Sequence, residues 1–73
     1  MRYIEATNLI LEEYELASEE FPPMNSSHEG YAIILEELDE LWEAIKKDQC
    51  SKDLKDEAKQ VGAMALRFLI DCC

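Results

Sequence analysis

Two adjacent prolines, Pro22 and Pro23, are the strongest constraint on how this chain folds. A proline lacks the backbone N–H that an internal helix position needs, and it disfavours helical geometry in the residue before it. The rest of the sequence has two glycines and no further proline, and it lacks the alternation of apolar and polar residues that is typical of strands. The sequence therefore predicts an all-α fold with a break at residues 21–27.

Capping signals place the ends of the first two helices. Helix one is predicted over residues 3–18, where apolar residues recur at helical spacing before the proline pair. Helix two is predicted to begin near Ser26 or Ser27, because Ser26 and Glu29 have the spacing of a capping box. It is predicted to run to about Lys47, since cations are favourable at a helix C-terminus.

A third helix is predicted after a short connection. Ser51 is a suitable N-cap, and the helix is expected to extend to about Leu69 or Asp71. The two helices that carry the acidic motifs described below therefore span roughly residues 27–47 and 52–70.

The length of the chain limits how far such a fold can stabilise itself. With 73 residues it forms at most one domain, residues 1–73, and so small a core leaves a narrow surplus over conformational entropy. The hydrophobic fraction of 48% suggests that some apolar surface is buried against a partner. We expect a bundle based on a helical hairpin and completed by oligomerisation.

The charge balance limits the partners. The chain has 17 acidic and 7 basic residues, for a net charge of −10 at pH 7. This sign disfavours direct binding to nucleic-acid backbones and to anionic membranes. The acids could hold a hard cation such as Mg²⁺, which would then receive phosphates. The competing interpretation is that they keep an apolar oligomer soluble.

The cysteines do not suggest a disulfide framework. There are three of them, Cys50, Cys72 and Cys73, and two are adjacent. The single histidine, His28, has no cysteine nearby, so zinc-ligand spacing is lacking. There is no basic and apolar leader and no long uncharged apolar run. These observations predict a soluble protein of the reducing cytoplasm.

Helical phase divides the residues of helix two between two sides. The apolar residues form one broad stripe that is predicted to be the main packing face: Tyr31, Ile34, Leu35, Leu38, Leu41, Trp42 and Ile45. On another side, Ile33 and Ala44 share the angular sector of Glu37 and Glu40. These two carboxylates are therefore predicted to form a partly buried pair, with Glu36 beside them.

Glu57 lies within the apolar stripe of helix three. Leu54, Val61, Met64 and Phe68 form that stripe at helical spacing, and Glu57 falls in its middle. An unpaired carboxylate on a core face is costly, so a compensating partner is expected. That partner is a cation shared with other carboxylates, or else Glu57 is protonated or pairs with a Lys or Arg across an interface.

An antiparallel hairpin brings the acids of both helices to one level. Sixteen residues separate Glu40 from Glu57, which suits two helix ends and a tight loop. Helix two contributes Glu37 and Glu40, with Glu36 close by, and Gln60 offers an amide oxygen one turn after Glu57. Such a set of oxygens suits Mg²⁺ or Mn²⁺ rather than zinc.

The segment EELDE, residues 36–40, followed by Glu57 on the next helix, resembles the MazG-type nucleotide pyrophosphohydrolase family. The pattern of that family is EExxE, a spacer, and then ExxD on the following helix. The segments HEGYAIILEELDELWEAIKKD and EAKQVGAMALRFLID are also similar to short members that are often associated with phages or mobile elements. The similarity covers roughly residues 26–71, and the joint match of both helices is more specific than either acidic motif alone.

The resemblance implies a homodimer or homotetramer with helices of two chains around each site. It implies Mg²⁺-dependent cleavage of a ribo- or deoxynucleoside triphosphate to the monophosphate and pyrophosphate, with Mn²⁺ as an alternative ion. Family roles place metal ligands at Glu37, Glu40 and Glu57, and a ligand or neighbouring acid at Glu36. Gln60 departs from the family, which has Asp there. Its amide can ligate through oxygen but cannot act as a base, which lowers the expected metal affinity.

The same hypothesis assigns further roles. Glu36 or Glu40 could orient or deprotonate the attacking water, so these two are the candidate catalytic residues. Lys59 and Arg67 on helix three are candidate contacts for the substrate phosphates.

Other functions also fit the sequence. A MazG-like helical oligomer without catalytic activity could bind nucleotide, metal or a protein partner, as Gln60 and the short chain suggest. A purely structural oligomer with solvated acids predicts that Glu57 meets a Lys or Arg in the assembled protein. A mimic of nucleic acid is disfavoured, because the charges follow helical spacing rather than a duplex-like surface.

Overall fold

The computed structural model describes residues 1–73 as three α-helices with short connections. Helix α1 spans Tyr3–Glu20, α2 spans Ser27–Lys46 and α3 spans Ser51–Cys72. There is no strand, so the predicted all-α fold is confirmed. None of the three helices combines the length and the apolar composition that crossing a membrane requires.

The proline pair ends α1 as expected. Phe21 adopts an extended conformation (φ −119°, ψ 147°), which is the geometry favoured before a proline. Its N–H still donates to the carbonyl oxygen of Ala17 at 2.9 Å. The helix therefore continues two residues beyond the predicted end at Ser18, up to the last position that the prolines allow.

The predicted capping box forms in one direction. The hydroxyl of Ser26 accepts a hydrogen bond from the N–H of Glu29 at 3.1 Å, while the Glu29 carboxylate accepts from the side-chain amide of Asn25 at 3.1 Å. At the start of α3 the N-cap residue is Cys50 rather than Ser51, and it makes no side-chain capping hydrogen bond. The predicted N-cap at Ser51 is thus wrong by one residue.

A tight turn connects α2 to α3. The N–H of Asp48 donates to the carbonyl of Ile45 at 3.1 Å, and that of Gln49 donates to the carbonyl of Ala44 at 3.2 Å. This pair of hydrogen bonds is a Schellman motif, which requires a left-handed residue after the helix. Asp48 takes that role with φ 55°, where glycine is the usual residue.

Helix α3 is the centre of the fold. It packs against both α1 and α2, whereas no Cα atoms of α1 and α2 lie within 8 Å of each other. The three helices therefore form an open layer, with α1 and α2 on two flanks of α3, rather than a closed three-helix bundle.

Small residues let both flanking helices approach α3 closely. A Cβ on Gly62 of α3 would lie 2.8 Å from Cδ1 of Ile10 in α1, and a Cβ on Gly30 of α2 would lie 2.5 Å from Cδ2 of Phe68 in α3. Ala63 is fully buried beside these contacts. The buried core is Ala17, Met24, Ala63 and Met64, with Tyr14, Ile33, Ile34, Phe68 and Cys72 packed around it.

The connection between α1 and α2 is fastened to the C-terminal half of α3. Arg67 donates to the carbonyl of Pro22 at 2.6 Å, and the Asp71 carboxylate accepts from the N–H of Met24 at 2.9 Å. The Met24 side chain is buried in the core. These contacts fix where α1 ends relative to α3.

Most of the predicted packing face of α2 stays uncovered in the single chain. Tyr31, Leu38 and Trp42 are 65%, 47% and 54% exposed, and Leu35 and Ile45 are also exposed. Only its edge toward α3 is half-buried, at Ile34 and Leu41, beside the buried sector of Gly30 and Ala44. The interpretation of this face as core of the single chain is therefore wrong for its five exposed residues, because periodicity identifies a surface that avoids water without specifying which chain covers it. We call the set Tyr31, Ile34, Leu35, Leu38, Leu41, Trp42 and Ile45 the α2 apolar face.

Candidate metal centre

Three carboxylates from two helices meet on the inner side of the α2–α3 hairpin. Glu37 and Glu40 of α2 and Glu57 of α3 each place one oxygen within 4.8 Å of the others. We call these residues the carboxylate cluster. The structure thus brings together the three acids that the sequence places on converging helix faces.

Helical phase and the turn explain why these residues meet. Glu37 and Glu40 are one turn apart on the side of α2 that also carries the buried Ala44, so they point toward α3. The Schellman turn reverses the chain within a few residues. Glu57, on the packed face of α3, then returns to the level of Glu40.

Two oxygens of the cluster are buried without a hydrogen-bond partner, Oε2 of Glu37 and Oε2 of Glu57. The ion pairs of the chain lie elsewhere, joining Lys46 to Glu43 and both Lys52 and Lys59 to Asp56. Buried polar atoms in folded proteins are nearly always hydrogen-bonded or coordinated, so an unsatisfied pair calls for a further partner.

Burial and mutual repulsion make these carboxylates weak acids. Burial, followed by the nearby Glu40 carboxylate, raises the pKa of Glu37 from 4.5 to about 7. The same two causes raise the pKa of Glu57. Near neutral pH Glu37 is therefore about half protonated unless a cation compensates its charge.

The cluster fits a hard divalent cation. It offers oxygens only, which is the donor set of Mg²⁺ and Mn²⁺. Octahedral ligands that each sit ~2.1 Å from one Mg²⁺ lie ~3.0 Å apart when adjacent and ~4.2 Å apart when opposite. Oxygens within 4.8 Å of one another reach these distances by a contraction of at most ~1.8 Å, which rotation of the flexible Glu side chains permits. Such an ion would also be a partner for the two carboxylate oxygens that have no hydrogen bond.

The carboxylate cluster lies where two concavities meet. The larger, of about 850 Å³, is a groove between α1 and α2 whose lining includes Glu36, Glu37, Gln60 and Arg67. We call it the α1–α2 groove. The smaller, of about 390 Å³, is lined by residues including Glu36, Glu40, Glu57 and Lys47. Glu36 faces both, so it is the exposed acid that borders each side of the cluster.

The sequence predicts Arg67 as a candidate phosphate contact but does not predict that it is buried. It is only 4% exposed, and its guanidinium donates to the Pro22 carbonyl at 2.6 Å and to the Met64 sulfur at 3.7 Å. No carboxylate neutralises it, and it lines the α1–α2 groove. The available signal was its position three residues after Met64, at the edge of the apolar stripe of α3.

Lys59, the other predicted phosphate contact, lies away from the cluster. It pairs with Asp56 at 3.6 Å. It lines a separate cavity between α1 and α3, together with Leu9 and Ile10. The structure therefore separates the two candidate phosphate ligands and brings only Arg67 to the groove that Glu37 borders.

Comparison with known proteins identifies no relative. No family model matches the chain, and no curated protein or solved structure matches it significantly.

Proposed function

We propose that the protein is a Mg²⁺-dependent nucleoside triphosphate pyrophosphohydrolase. It would convert a ribo- or deoxynucleoside triphosphate to the monophosphate and pyrophosphate, as enzymes that remove unwanted nucleotides from the nucleotide pool do. The observation that carries the proposal is the carboxylate cluster with its two buried, unpartnered oxygens. The resemblance of the EELDE segment and Glu57 to the MazG-type pattern supports the choice of substrate.

The ion would be held by Glu37, Glu40 and Glu57, with the amide oxygen of Gln60 as a further ligand. When bound, Mg²⁺ neutralises phosphate charge and lowers the pKa of water. Because Gln60 contributes no charge, the site relies on three carboxylates for its affinity.

The exposed acid Glu36 is suited to act on the attacking water. It borders both concavities, so it is placed to contact a water that enters from either side of the cluster. Glu36 or Glu40 accepts the proton as the water oxygen forms its bond to phosphorus and the bond to the leaving pyrophosphate breaks. Of the two, Glu36 is the freer to do so, since Glu40 is engaged in the cluster.

Arg67 is suited to hold a substrate phosphate. A buried guanidinium without a carboxylate partner attracts an anion, and its unused N–H groups match phosphate oxygens. Arg67 and Glu37 line the same groove, so this positive charge and the negative cluster are both open to one bound substrate. In a Mg²⁺–triphosphate complex, the cation complements the carboxylate cluster and the phosphates complement Arg67.

The active assembly in this proposal is a homodimer or homotetramer. The α1–α2 groove is open in the single chain, because the two helices that flank it have no Cα atoms within 8 Å of each other. An assembly in which a further chain covers this groove would exclude water from the substrate.

The test is pyrophosphate release from a panel of nucleoside triphosphates with Mg²⁺, Mn²⁺ or EDTA. We expect metal-dependent release that falls at least ~10²-fold in Glu57→Gln, because loss of a charged ligand weakens the site. Glu12→Gln, the same change on the exposed side of α1, is the matched control and should retain activity. Full activity of Glu57→Gln would contradict the assignment.

A second candidate is a MazG-like oligomer that binds nucleotide, metal or a protein partner without turnover. The observation that favours it is Gln60, where the resembled family has Asp. Calorimetric titration with Mg²⁺ and a non-hydrolysable nucleotide separates the two. Binding without pyrophosphate release supports this candidate, and activity gained in Gln60→Asp would show that this one position limits catalysis.

A further inference from the structure

The α2 apolar face is a surface of a kind that a monomer rarely exposes. Tyr31 and Trp42, the largest side chains of α2, are 65% and 54% exposed on it. Lys46 lies at its edge, with its ammonium 5.6 Å from the centroid of the Trp42 ring. Helix α3 leaves the centre of this face uncovered, because it packs on α2 through Gly30 and Ala44, which lie about 80° and 120° around the helix from Leu38.

The α2 apolar face is free of charge across its width. Its seven residues lie within about 60° of Leu38 on a helical projection, and the charged residues of α2 begin beyond that arc. An uncharged arc of this width is typical of a helix that packs against another helix. It is poorly suited to a charged ligand.

The spacing of the face is symmetric about Leu38. Tyr31 and Ile45 are each seven residues from it, Ile34 and Trp42 are each four, and Leu35 and Leu41 are each three. When two copies of one helix pair antiparallel about a two-fold axis, a residue n positions before the axis meets the residue n positions after it. Every apolar residue of one copy would then meet an apolar residue of the other.

The helix dipoles favour the antiparallel orientation. Antiparallel pairing brings the C-terminal end of one α2 level with the N-terminal end of the other, so that the two dipoles oppose each other. Parallel pairing would place like dipole ends together.

The exposed area is sufficient for an interface. The five exposed side chains of the face leave roughly 500 Å² uncovered per chain, or about 1,000 Å² for two copies, which reaches the size expected of a biological interface. Flanking polar residues add to that area. A patch of roughly 500 Å² is also near the upper limit for a monomer's surface.

We propose that the α2 apolar face is the docking surface for a second copy of this chain, with the two α2 helices antiparallel and Leu38 on a two-fold axis. The proposal does not rest on the pyrophosphohydrolase function. Glu40 points away from Leu38 by about 160° on the helical projection, so both carboxylate clusters stay open in such a dimer.

Disulfide cross-linking tests the orientation in a background with serine in place of Cys50, Cys72 and Cys73. Leu38→Cys should cross-link to its copy, because the two residues face each other across the axis. Tyr31→Cys alone should not, since its two copies would lie about 21 Å apart along the helices, and a disulfide needs Cα atoms within about 7 Å. Ile45→Cys alone should not for the same reason, but a mixture of the Tyr31→Cys and Ile45→Cys chains should cross-link.

Sedimentation equilibrium tests the surface itself. Leu38→Glu should give the 8.4 kDa monomer, because it places two charges together at the axis. Leu11→Glu is the matched control, since Leu11 is 48% exposed on α1 and Leu38 is 47% exposed on α2. It should keep an assembly of at least two chains, and circular dichroism checks that both variants fold.

Three results would overturn the proposal. They are a monomeric parent protein at high micromolar concentration, an unchanged mass for Leu38→Glu, and cross-linking of Tyr31→Cys by itself. The last would replace the antiparallel arrangement with a parallel one. A monomeric parent protein would also contradict the oligomeric assembly of the proposed enzyme, whereas metal binding and pyrophosphate release are measured independently of all three results.

Discussion

Glu37 and Glu57 each hold one carboxylate oxygen away from water without giving it a partner in the chain. Two species can relieve this condition, a proton and a cation. The proton acts by neutralising the charge, and the cation acts by coordinating it. The cluster is therefore a place where the two compete for the same oxygens.

This competition predicts opposite effects of pH on stability and on metal binding. The folded-state pKa of Glu37 is raised to about 7, so the folded state binds its proton more tightly than the unfolded state does. The resulting stabilisation is full below about pH 4.5 and is lost as the pH rises through about 7. In EDTA, Tm should fall between about pH 5 and pH 8, while the apparent Mg²⁺ affinity should rise over the same range.

Thermal unfolding with EDTA and with millimolar Mg²⁺ measures both effects. Glu37→Gln removes one titrating group and should reduce the dependence of Tm on pH in EDTA, leaving the part due to Glu57, whereas Glu12→Gln should leave it unchanged. An equal slope of Tm against pH in Glu37→Gln and in the parent would show that other groups cause it.

The sequence predicted which carboxylates form the cluster, but it did not predict what surrounds Arg67. The phases of Glu37, Glu40 and Glu57 depend on residues within one or two turns, so local spacing predicts their directions. The carbonyl that Arg67 contacts belongs to Pro22, 45 positions earlier in the chain. No local pattern encodes such a contact, because it depends on where α1 ends in space.

At the scale of elements, periodicity predicted all three helices and misjudged what one of them packs against. The ends of α1 and α2 follow from the proline pair and from Ser26, whose effects are local. The α2 apolar face was expected in the core, but the single chain offers no second helix to cover it. Helical spacing reports how apolar a face is, and the arrangement of the other helices decides whether it is buried.

The turn between α2 and α3 offers a test at this scale. Asp48 adopts φ 55°, a conformation that is costly for a residue with a Cβ and free of that cost for glycine. Asp48→Gly should raise the free energy of unfolding by about 0.5–1 kcal/mol. Gln49→Gly, one position later, should not stabilise, because Gln49 has no positive φ to relieve.

Urea denaturation of the two glycine variants gives the comparison. A shift of the midpoint to higher urea at constant m-value is expected for Asp48→Gly alone. A loss of stability in Asp48→Gly would mean that the Asp48 side chain supports the turn in a way that outweighs its backbone cost.

At the scale of the whole molecule, net charge and apolar surface act against each other. Each chain carries a net charge of −10 at pH 7, so two copies repel each other, while the α2 apolar face favours their association. Repulsion between whole molecules is screened by salt, whereas burial of apolar surface is not weakened by it.

Association should therefore tighten as salt is added. Raising the ionic strength from about 0.01 M to 0.15 M shortens the Debye length from about 30 Å to about 8 Å, which reduces the repulsion between the two chains. Sedimentation equilibrium at both ionic strengths should give a lower Kd at the higher one. Weaker association at higher salt would indicate an interface held by ion pairs instead.

The position of α3 between the other two helices has a consequence for how the chain acquires its structure during synthesis. Helices α1 and α2 are both translated before α3, yet none of their Cα atoms lie within 8 Å of each other. Most of the stability of a helix in a protein comes from the packing of its apolar face, and the surface against which both helices pack leaves the ribosome after them. Tertiary folding therefore waits for α3, and until then the nascent chain exposes the apolar faces of α1 and α2 to whatever chaperones it meets.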